Sequence, residues 1–153
     1  MSEIIINTNS VIETQTLAEA IGQVLRGGEV IELISDLGGG KTTFTKGLAR
    51  GLSITDTVQS PTFTICRTYV ARDNLELHHF DFYRLQEPGI MSAELNESLQ
   101  QTGVIVVVEW GDIVRDVLPA KRLSLHITST GDDSRRLAFN IPDEYQYIKK
   151  ALS

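Results

Sequence analysis

The stretch SDLGGGKTT, Ser35 to Thr43, decides the predicted fold. It matches the phosphate-binding pattern G-x-x-x-x-G-K-[ST] except at the first position, where Ser35 replaces glycine. The residues before it, Val30 to Ile34, are mostly apolar and β-branched, as in a buried strand. After it, apolar residues recur every four positions from Phe44 to Leu52, which predicts one face of a helix. Because a P-loop joins a buried strand to a helix, this context favours a true P-loop over an ordinary glycine-rich turn.

Each part of this loop has a task in the predicted nucleotide site. Its backbone N–H groups are expected to point at the phosphates, aided by the positive end of the following helix. The Lys41 ammonium is expected to reach the β- and γ-phosphate oxygens and to take part in catalysis, and the Thr42 hydroxyl is expected to bind Mg²⁺. The predicted nucleotide-binding residues of the loop are Leu37, Gly38, Gly39, Gly40, Lys41, Thr42 and Thr43.

Two acidic residues are predicted to complete the site. Glu109 follows the most hydrophobic run of the chain, Val104 to Val108, which predicts a strand in the middle of a sheet. Ligands of open α/β sheets collect at the carboxyl ends of strands, so Glu109 is expected to serve Mg²⁺ or the attacking water. Asp81 lies between two phenylalanines, where an unpaired charge is costly to bury. Asp81 therefore faces a polar site or pairs with Arg84 or a histidine. The alternative for Glu109 is a solvated acid at the end of a strand, without a role in the site.

The composition is that of an ordinary globular protein. The chain has 153 residues, of which 41% are hydrophobic and 22% charged, and it is predicted to form a single domain over residues 1–153. No apolar run approaches the roughly 18 residues of a membrane span, and a single cysteine excludes an internal disulfide, so a cytoplasmic location is expected. The net charge of -6 argues against a surface that binds nucleic acid over its whole extent.

The other segments predict an α/β fold. Further strands are predicted at Ile4 to Ile6, Thr62 to Val70, Leu75 to Tyr83, Leu123 to Thr128 and Leu137 to Ile141, the second and third forming a hairpin. Further helices are predicted after a capping box at Thr16 and Glu19, from Pro88 to about Gln100, around Ile113 to Val117, and at the C-terminus. Together these elements predict a single P-loop NTPase domain with a mostly parallel central sheet, flanked by helices and extended by antiparallel strands.

Several blocks of the sequence together resemble the TsaE (YjeE) family, the small bacterial ATPases needed for threonylcarbamoyladenosine modification of tRNA. The blocks are DLGGGKTTFTKGL, SPTF, HHFDFYRL, VVVEWGD and LPAKRLSLHI, with similar spacing over nearly the whole chain. The resemblance implies a P-loop ATPase that uses ATP and Mg²⁺ and acts on the TsaB and TsaD proteins. Such a protein does not transfer the threonylcarbamoyl group itself, and it reaches tRNA indirectly through that complex. No membrane partner is implied.

The resemblance also implies roles for individual residues. The loop Leu37 to Thr43 would hold the phosphates, and Thr42 and Glu109 would serve Mg²⁺. Asp81 would be an essential acid near the γ-phosphate, and Thr62 would belong to a switch-like segment, Ser60-Pro61-Thr62. The first helix, around Thr14 to Leu17, would border the adenine.

Two stretches depart from the family pattern. Pro88-Gly89-Ile90-Met91 replaces a more acidic, helix-favouring stretch. Ser35 replaces the first glycine, which costs on the order of 1–2 kcal/mol if its backbone is left-handed and almost nothing otherwise.

Two other functions remain open from the residues alone. A small-molecule kinase shares this loop and size, but it generally closes an arginine-bearing lid over the phosphates. The only arginine pair here, Arg135 and Arg136, sits late in the chain between predicted strands. The second is a nucleotide-gated binding module, in which hydrolysis is incidental and ATP binding alone drives the response.

Overall fold

The computed structural model describes residues 2–35, 39–59, 65–83, 85, 87 and 89–153. Within them the strands are β1 (Ser2–Thr8), β2 (Val30–Ile34), β3 (Cys66–Val70), β4 (Glu76–Asp81), β5 (Val104–Glu109), β6 (Leu123–Ser129) and β7 (Arg135–Ile141). The α-helices are α1 (Val11–Val24), α2 (Lys41–Gly51) and α3 (Gly89–Leu99). Short 3₁₀ helices cover Arg72–Asn74, Gly111–Val114 and Asp143–Leu152.

The seven strands form one mixed sheet in the order β1-β7-β6-β2-β5-β4-β3. The four central strands β6, β2, β5 and β4 are mutually parallel, while β1, β7 and β3 join them through antiparallel pairings. Every residue of β5 is buried, as its unbroken apolar sequence requires of a strand covered on both faces. The predicted α/β class, with a parallel centre and added antiparallel strands, is confirmed, and so is the hairpin of β3 and β4.

The alternation of side chains along the strands divides the core into two clusters. Ile105 and Val107 of β5 pack with α1 and α2 on one face of the sheet. Val106 and Val108 pack on the other face with Leu95 of α3. Because successive side chains point to opposite faces, the odd-numbered residues at the end of β5 face the helix α2. Glu109 therefore extends toward the same side of the sheet as the helix that follows the P-loop.

The N-cap of the first helix lies six residues before the predicted one, Thr16. This N-cap is Ser10, whose Oγ accepts a hydrogen bond of 3.0 Å from the Glu13 backbone N–H. Ser10 and Glu13 also fit the S-x-x-E pattern, so two overlapping signals competed in the sequence. The pair at Thr16 and Glu19 lies inside α1, and the prediction of a start there was wrong.

Two later helices also differ from their predicted form. The helix predicted around Ile113 to Val117 is a 3₁₀ helix at Gly111–Val114, because the backbone turns sharply at Trp110 directly after β5. The C-terminal helix is 3₁₀ and is kinked at Tyr145. Tyr145 packs into the core, and its hydroxyl accepts a hydrogen bond from the Val30 backbone N–H at 3.1 Å.

Cys66 serves as a partly buried core residue at the start of β3. Burial, with a smaller contribution from the Glu94 carboxylate, raises the pKa of its thiol to about 11. The thiol is therefore protonated at neutral pH, as expected of a small apolar filler. In the described ranges, no helix combines the length and the apolar character that crossing a bilayer requires.

Glycines allow α1 and α2 to pack backbone against backbone. A Cβ atom on Gly47 would lie 2.4 Å from the Gln15 carbonyl oxygen, and one on Gly51 would lie 2.2 Å from the Glu19 carbonyl oxygen. Both distances are far shorter than a carbon–oxygen contact allows. The close approach fixes the position of α2, and with it the position of Lys41 at the start of that helix.

We expect Gly47→Ala to lower the free energy of unfolding by about 1–3 kcal/mol, because the added methyl group overpacks the α1–α2 contact. Helix propensity alone predicts the opposite sign, a gain of up to about 1 kcal/mol. Urea denaturation measures the difference, with Lys46→Ala at an exposed position of the same helix as the control. A Gly47→Ala protein at least as stable as the parent would show that the helices do not approach this closely.

Candidate functional site

Three strands bring the predicted site residues to one edge of the sheet. Because β4 and β5 are parallel and in register, Asp81 and Glu109 are paired at their carboxyl ends. Glu109 is also the register partner of Leu33 in β2, the strand that leads into the P-loop. Asp81 and Glu109 are 2% and 3% exposed. The structure therefore places two buried acids side by side at the end of the strand that precedes the loop.

Lys41 is held at the junction between β2 and the loop. It is the first residue of α2 and is only 7% exposed. Its Nζ donates to the Ser35 carbonyl oxygen at 3.2 Å and to Ser35 Oγ at 3.4 Å. The same Nζ lies 4.8 Å from the centre of the Trp110 ring, directly after Glu109. The ammonium thus lies between Ser35 and the residue that follows β5, and its role in phosphate binding stays a prediction.

The backbone of Ser35 is not left-handed. In the described residues, the non-glycine positions with positive φ are Ser53, Ile65, Asp73, Asn74 and Trp110. Replacing the first P-loop glycine with Ser35 therefore adds no backbone strain. The backbone cost of Ser35 in place of glycine is therefore the negligible one of the two that the sequence left open.

We expect Ser35→Gly to change the affinity for ATP by no more than about threefold, which corresponds to about 0.65 kcal/mol. The substitution keeps the shorter contact of Lys41, to the backbone carbonyl, and removes the longer contact to Oγ. Calorimetric titration of parent and variant with ATP measures the change. An affinity that rose tenfold would mean that the serine does strain or block the loop.

The second half of the loop is held by Arg135 of β7, a strand that lies two positions from β2 in the sheet. Gly40 has φ of 110° and precedes α2, a conformation that favours glycine. The Nε of Arg135 donates to the Gly39 carbonyl oxygen at 3.0 Å, and a Cβ on Gly40 would lie 3.4 Å from that nitrogen. The Arg135 Nη1 also donates to the carbonyl oxygens of Gly131, Asp132 and Ser134. Arg135 therefore ties the loop to the β6–β7 turn.

The sequence did not predict this contact. It placed Arg135 merely between late strands, whereas the residue opens β7 and lies opposite Thr8 of β1 and Ser129 of β6. The pairing with β1 and the hydrogen bond to Gly39 join segments far apart in the chain, so no local pattern predicts them. A short turn rich in Gly, Asp and Ser before the arginine was the available signal for a loop that returns to this edge.

Thr14, predicted to border the adenine, lies beside the loop. It lines a small cavity together with Val11, Gly40, Thr43, Asp133 and Arg135. The Thr14 Oγ1 is 2.6 Å from the Thr8 Oγ1, so this buried hydroxyl is already hydrogen-bonded. Thr14 therefore forms part of the wall of the cavity, while Thr42 and Thr43 belong to the first turn of α2.

Asp81 is oriented by the backbone around it. Its Oδ1 accepts a hydrogen bond of 2.9 Å from the Tyr83 N–H. Its own N–H donates to the Ile65 carbonyl oxygen at 2.7 Å. Ile65 has φ of 68°, an unfavourable conformation for a β-branched residue. The structure therefore stores strain next to the acid, as is common at functional sites.

Some predicted residues lie outside the described part of the chain. They are Leu37 and Gly38 of the loop, Ser60, Pro61 and Thr62 of the switch-like segment, Arg84 as the proposed partner of Asp81, and Pro88 at the start of α3. Their predicted roles stay predictions. The described residues that the structure brings to one edge are Gly39, Gly40, Lys41, Thr42, Thr43, Thr14, Asp81 and Glu109.

Glu109 has a partner that sequence reasoning missed. The Nε2 of His79 lies 2.5 Å from the Oε2 of Glu109, and the imidazole is fully buried. From the sequence, a histidine was considered only as a possible partner of Asp81, whereas His79 contacts Glu109. Alternation along β4 was the signal, because a residue two positions before Asp81 shares its face of the sheet.

Comparison with known proteins identifies the family of this chain. The model of the family "Threonylcarbamoyl adenosine biosynthesis protein TsaE" matches residues 8–137. The chain belongs to the TsaE family.

Curated members of the TsaE family align with most of the chain. The tRNA threonylcarbamoyladenosine biosynthesis protein TsaE of Bacillus subtilis is 40% identical over 143 residues, which cover 92% of this chain and 88% of the relative. The protein of the same name from Nostoc is 36% identical, over 80% of this chain and 76% of the relative. The crystal structure of Bacillus subtilis YdiB superposes with a TM-score of 0.80 at 36% identity, covering 99% of this chain and 94% of that one.

In this member of the TsaE family, two aromatic residues lie beside the site. Trp110 has φ of 56° and ψ of 48°, so the chain turns in a left-handed conformation directly after Glu109. Its ring lies 4.9 Å from the ring of Tyr83, which follows Asp81 by two positions. The indole lies close to Lys41. The left-handed backbone conformation of Trp110 costs about 1–2 kcal/mol for a non-glycine residue. Trp110 is the only tryptophan of the chain, so its fluorescence reports on this site.

The oxygen donors predicted for the site are of the kind that Mg²⁺ prefers. Among the described residues, no group of three or more His, Cys, Asp and Glu side chains is arranged to hold a metal ion. Mg²⁺ needs few protein ligands, because it keeps several waters and binds phosphate oxygens. The Thr42 hydroxyl and the Glu109 carboxylate offer the hard oxygen donors it prefers, and the contact with His79 uses only one of the two Glu109 oxygens.

Proposed function

We propose that this protein binds and hydrolyses ATP at the edge formed by β2, β4 and β5, in support of threonylcarbamoyladenosine formation in tRNA. The observation that carries the proposal is the placement of the Lys41 ammonium at the loop, beside the strand ends that bear the buried acids Asp81 and Glu109. Buried carboxylates are costly without a function or a partner, and two of them lie together here. Membership of the TsaE family supports the role in threonylcarbamoyladenosine biosynthesis.

The loop and its surroundings bind the nucleotide. Backbone N–H groups at the start of α2 receive the phosphates, where the helix dipole adds positive charge. Lys41 exchanges its contacts with Ser35 for β- and γ-phosphate oxygens. Arg135 holds the Gly39 carbonyl and so keeps the loop in a conformation that can receive the phosphates. The adenine lies toward the cavity lined by Thr14 and Thr43.

The two acids serve the hydrolytic step. Mg²⁺, when bound, neutralises charge on the phosphate oxygens, and Thr42 and Glu109 hold it directly or through water. Asp81 lies beside Glu109 and is oriented by the Tyr83 N–H, so its carboxylate helps to position the attacking water. Such positioning by fixed groups is the main catalytic contribution that a protein makes to phosphoryl transfer.

ATP hydrolysis is proposed to act on a protein complex rather than on the tRNA directly. We propose that the protein acts on the TsaB and TsaD proteins in the cytoplasm and does not transfer the threonylcarbamoyl group itself. The net charge of -6 favours indirect contact with tRNA, because direct binding to phosphates requires clustered Lys and Arg.

Product analysis tests hydrolysis against the kinase alternative. We expect one inorganic phosphate to be released for each ATP converted to ADP, in the absence of any acceptor. The assay is then repeated with pools of nucleosides and sugars as possible acceptors. Rapid transfer of phosphate to any of them, with little release of free phosphate, would show that the protein is a small-molecule kinase rather than an ATPase.

A further inference from the structure

His79 is buried at a point where an apolar residue would pack at lower cost. It lies on the face of β4 that also carries Leu77, a member of the apolar cluster between the sheet and the helices α1 and α2. The side chain is 0% exposed, and among the described residues its Nδ1 has no hydrogen-bond partner. A buried imidazole without such bonds is unfavourable. The contact between its Nε2 and Glu109 is therefore the polar interaction that accounts for the histidine.

The neighbouring His78 provides a direct contrast. It is also buried, but it faces the other side of the sheet, where its Nδ1 lies 2.7 Å from the Ser98 Oγ of α3. Its Nε2 lies 3.1 Å from the Glu76 Oε1. Both nitrogens of His78 thus have partners away from the candidate site. The same strand therefore carries two buried histidines, and only His79 contacts one of the two acids.

The contact joins adjacent strands on a diagonal. His79 is the register partner of Val107, whereas Glu109 lies two residues further along β5 and opposite Asp81. The imidazole therefore approaches the Glu109 carboxylate from inside the core, behind the end of the strands. A donor in that position holds one carboxylate oxygen and fixes the direction of the other.

We propose that His79 is a positioning residue, whose Nε2–H holds the Glu109 carboxylate in the orientation that ATP hydrolysis requires. The role rests on the proposed function of this site. His79 touches neither nucleotide nor water in this role and acts only through Glu109. Ligand-orienting partners of this kind usually affect activity or metal affinity by about 10- to 100-fold.

Two substitutions of similar size separate positioning from packing. Glutamine at position 79 keeps an N–H donor near the place of Nε2, whereas phenylalanine fills the space without one. We expect His79→Phe to lower kcat by about 10- to 100-fold, and His79→Gln to remain within about fivefold of the parent, with KM for ATP within about threefold in both. The same substitutions at His78 serve as the matched control, and each should leave kcat within about twofold.

A spectroscopic measurement tests the contact without nucleotide or turnover. Protein labelled with ¹⁵N at histidine is compared with Glu109→Gln by long-range ¹H–¹⁵N NMR. Substitution of His78 and His126 in turn assigns their signals and leaves those of His79, the third histidine of the chain. We expect a protected Nε2–H signal of His79 in the parent that shifts on Glu109→Gln. The His78 signals should not change. This readout decides the case also where a His79 variant fails to fold.

The possible results separate this inference from the proposed function. Loss of kcat in His79→Phe, recovery in His79→Gln and a His79 signal that depends on Glu109 support the positioning role. Equal effects of the His78 and His79 substitutions, or a His79 signal that is indifferent to Glu109, overturn it. Absence of ATP turnover in the unmodified protein, alone and with its proposed partners, overturns the proposed function and this role together.

Discussion

Replacing Glu109 with glutamine is expected to lower ATP turnover by about 10²- to 10³-fold, since a positioned carboxylate contributes on that order to a hydrolytic step. The affinity for ATP is expected to stay within about fivefold, because Lys41 and the loop amides make the main contacts with the phosphates. Glutamine keeps the shape of the side chain and an oxygen that can accept from His79, so the fold is preserved. Asp81→Asn should likewise lower turnover and leave the affinity for ATP within about fivefold.

Steady-state phosphate release and calorimetric titration with ATP separate the two quantities. Asp112→Asn is the matched control, because Asp112 lies three residues further on and its side chain is 88% exposed in an ion pair with Arg115. It should leave both turnover and affinity unchanged. A Glu109→Gln protein that loses ATP binding as severely as turnover would contradict the division of roles.

The same variant distinguishes an ATPase from a nucleotide-gated binding module. If hydrolysis drives the response, tRNA modification in the reconstituted system should fall together with turnover in Glu109→Gln. Full modification by a variant that binds ATP but no longer hydrolyses it would make binding alone the function.

Replacing Lys41 with alanine is expected to weaken ATP binding by about 100-fold, equivalent to about 2.7 kcal/mol. Charge-assisted hydrogen bonds contribute about 1.5–3 kcal/mol each, and Lys41 is placed to make them with two phosphates. Because the ammonium is buried beside the Trp110 ring, its removal also changes the fluorescence of the free protein. Calorimetry is therefore the appropriate measurement of affinity.

Lys46→Ala provides the control for this prediction. Lys46 lies on the same helix, is exposed, and lines a different cavity together with Arg50 and Asp56. It removes the same charge from α2 without reaching the loop, so any general electrostatic effect of the helix appears in both variants. Equal losses of affinity in Lys41→Ala and Lys46→Ala would contradict the prediction that Lys41 binds the phosphates.

The parts of the fold that local patterns encode were predictable. The apolar run before the loop, the helical spacing after it and the all-apolar β5 each determine one element, and each was found where the sequence predicted it. Asp81 and Glu109 were predictable as neighbours because parallel strands end at the same edge of a sheet. The start of α1 was not, because Ser10 and Thr16 head equivalent capping patterns and only the packed structure selects the first.

Contacts between distant segments were beyond local patterns. Arg135 reaches Gly39 because β7 returns beside β6, and His79 reaches Glu109 across a strand pairing whose register is set by the whole sheet. One-residue changes of register would turn either side chain to the opposite face. Such contacts follow from tertiary pairing, which spacing within a single segment does not specify.

The most direct test of the central claim is ATP turnover measured with and without the purified TsaB–TsaD complex and tRNA. The protein alone is expected to hydrolyse ATP slowly, and the rate is expected to rise when the complex is added. Glu109→Gln should remain inactive in both conditions. A rate that the complex and tRNA leave unchanged would contradict the proposal that this site hydrolyses ATP for threonylcarbamoyladenosine formation.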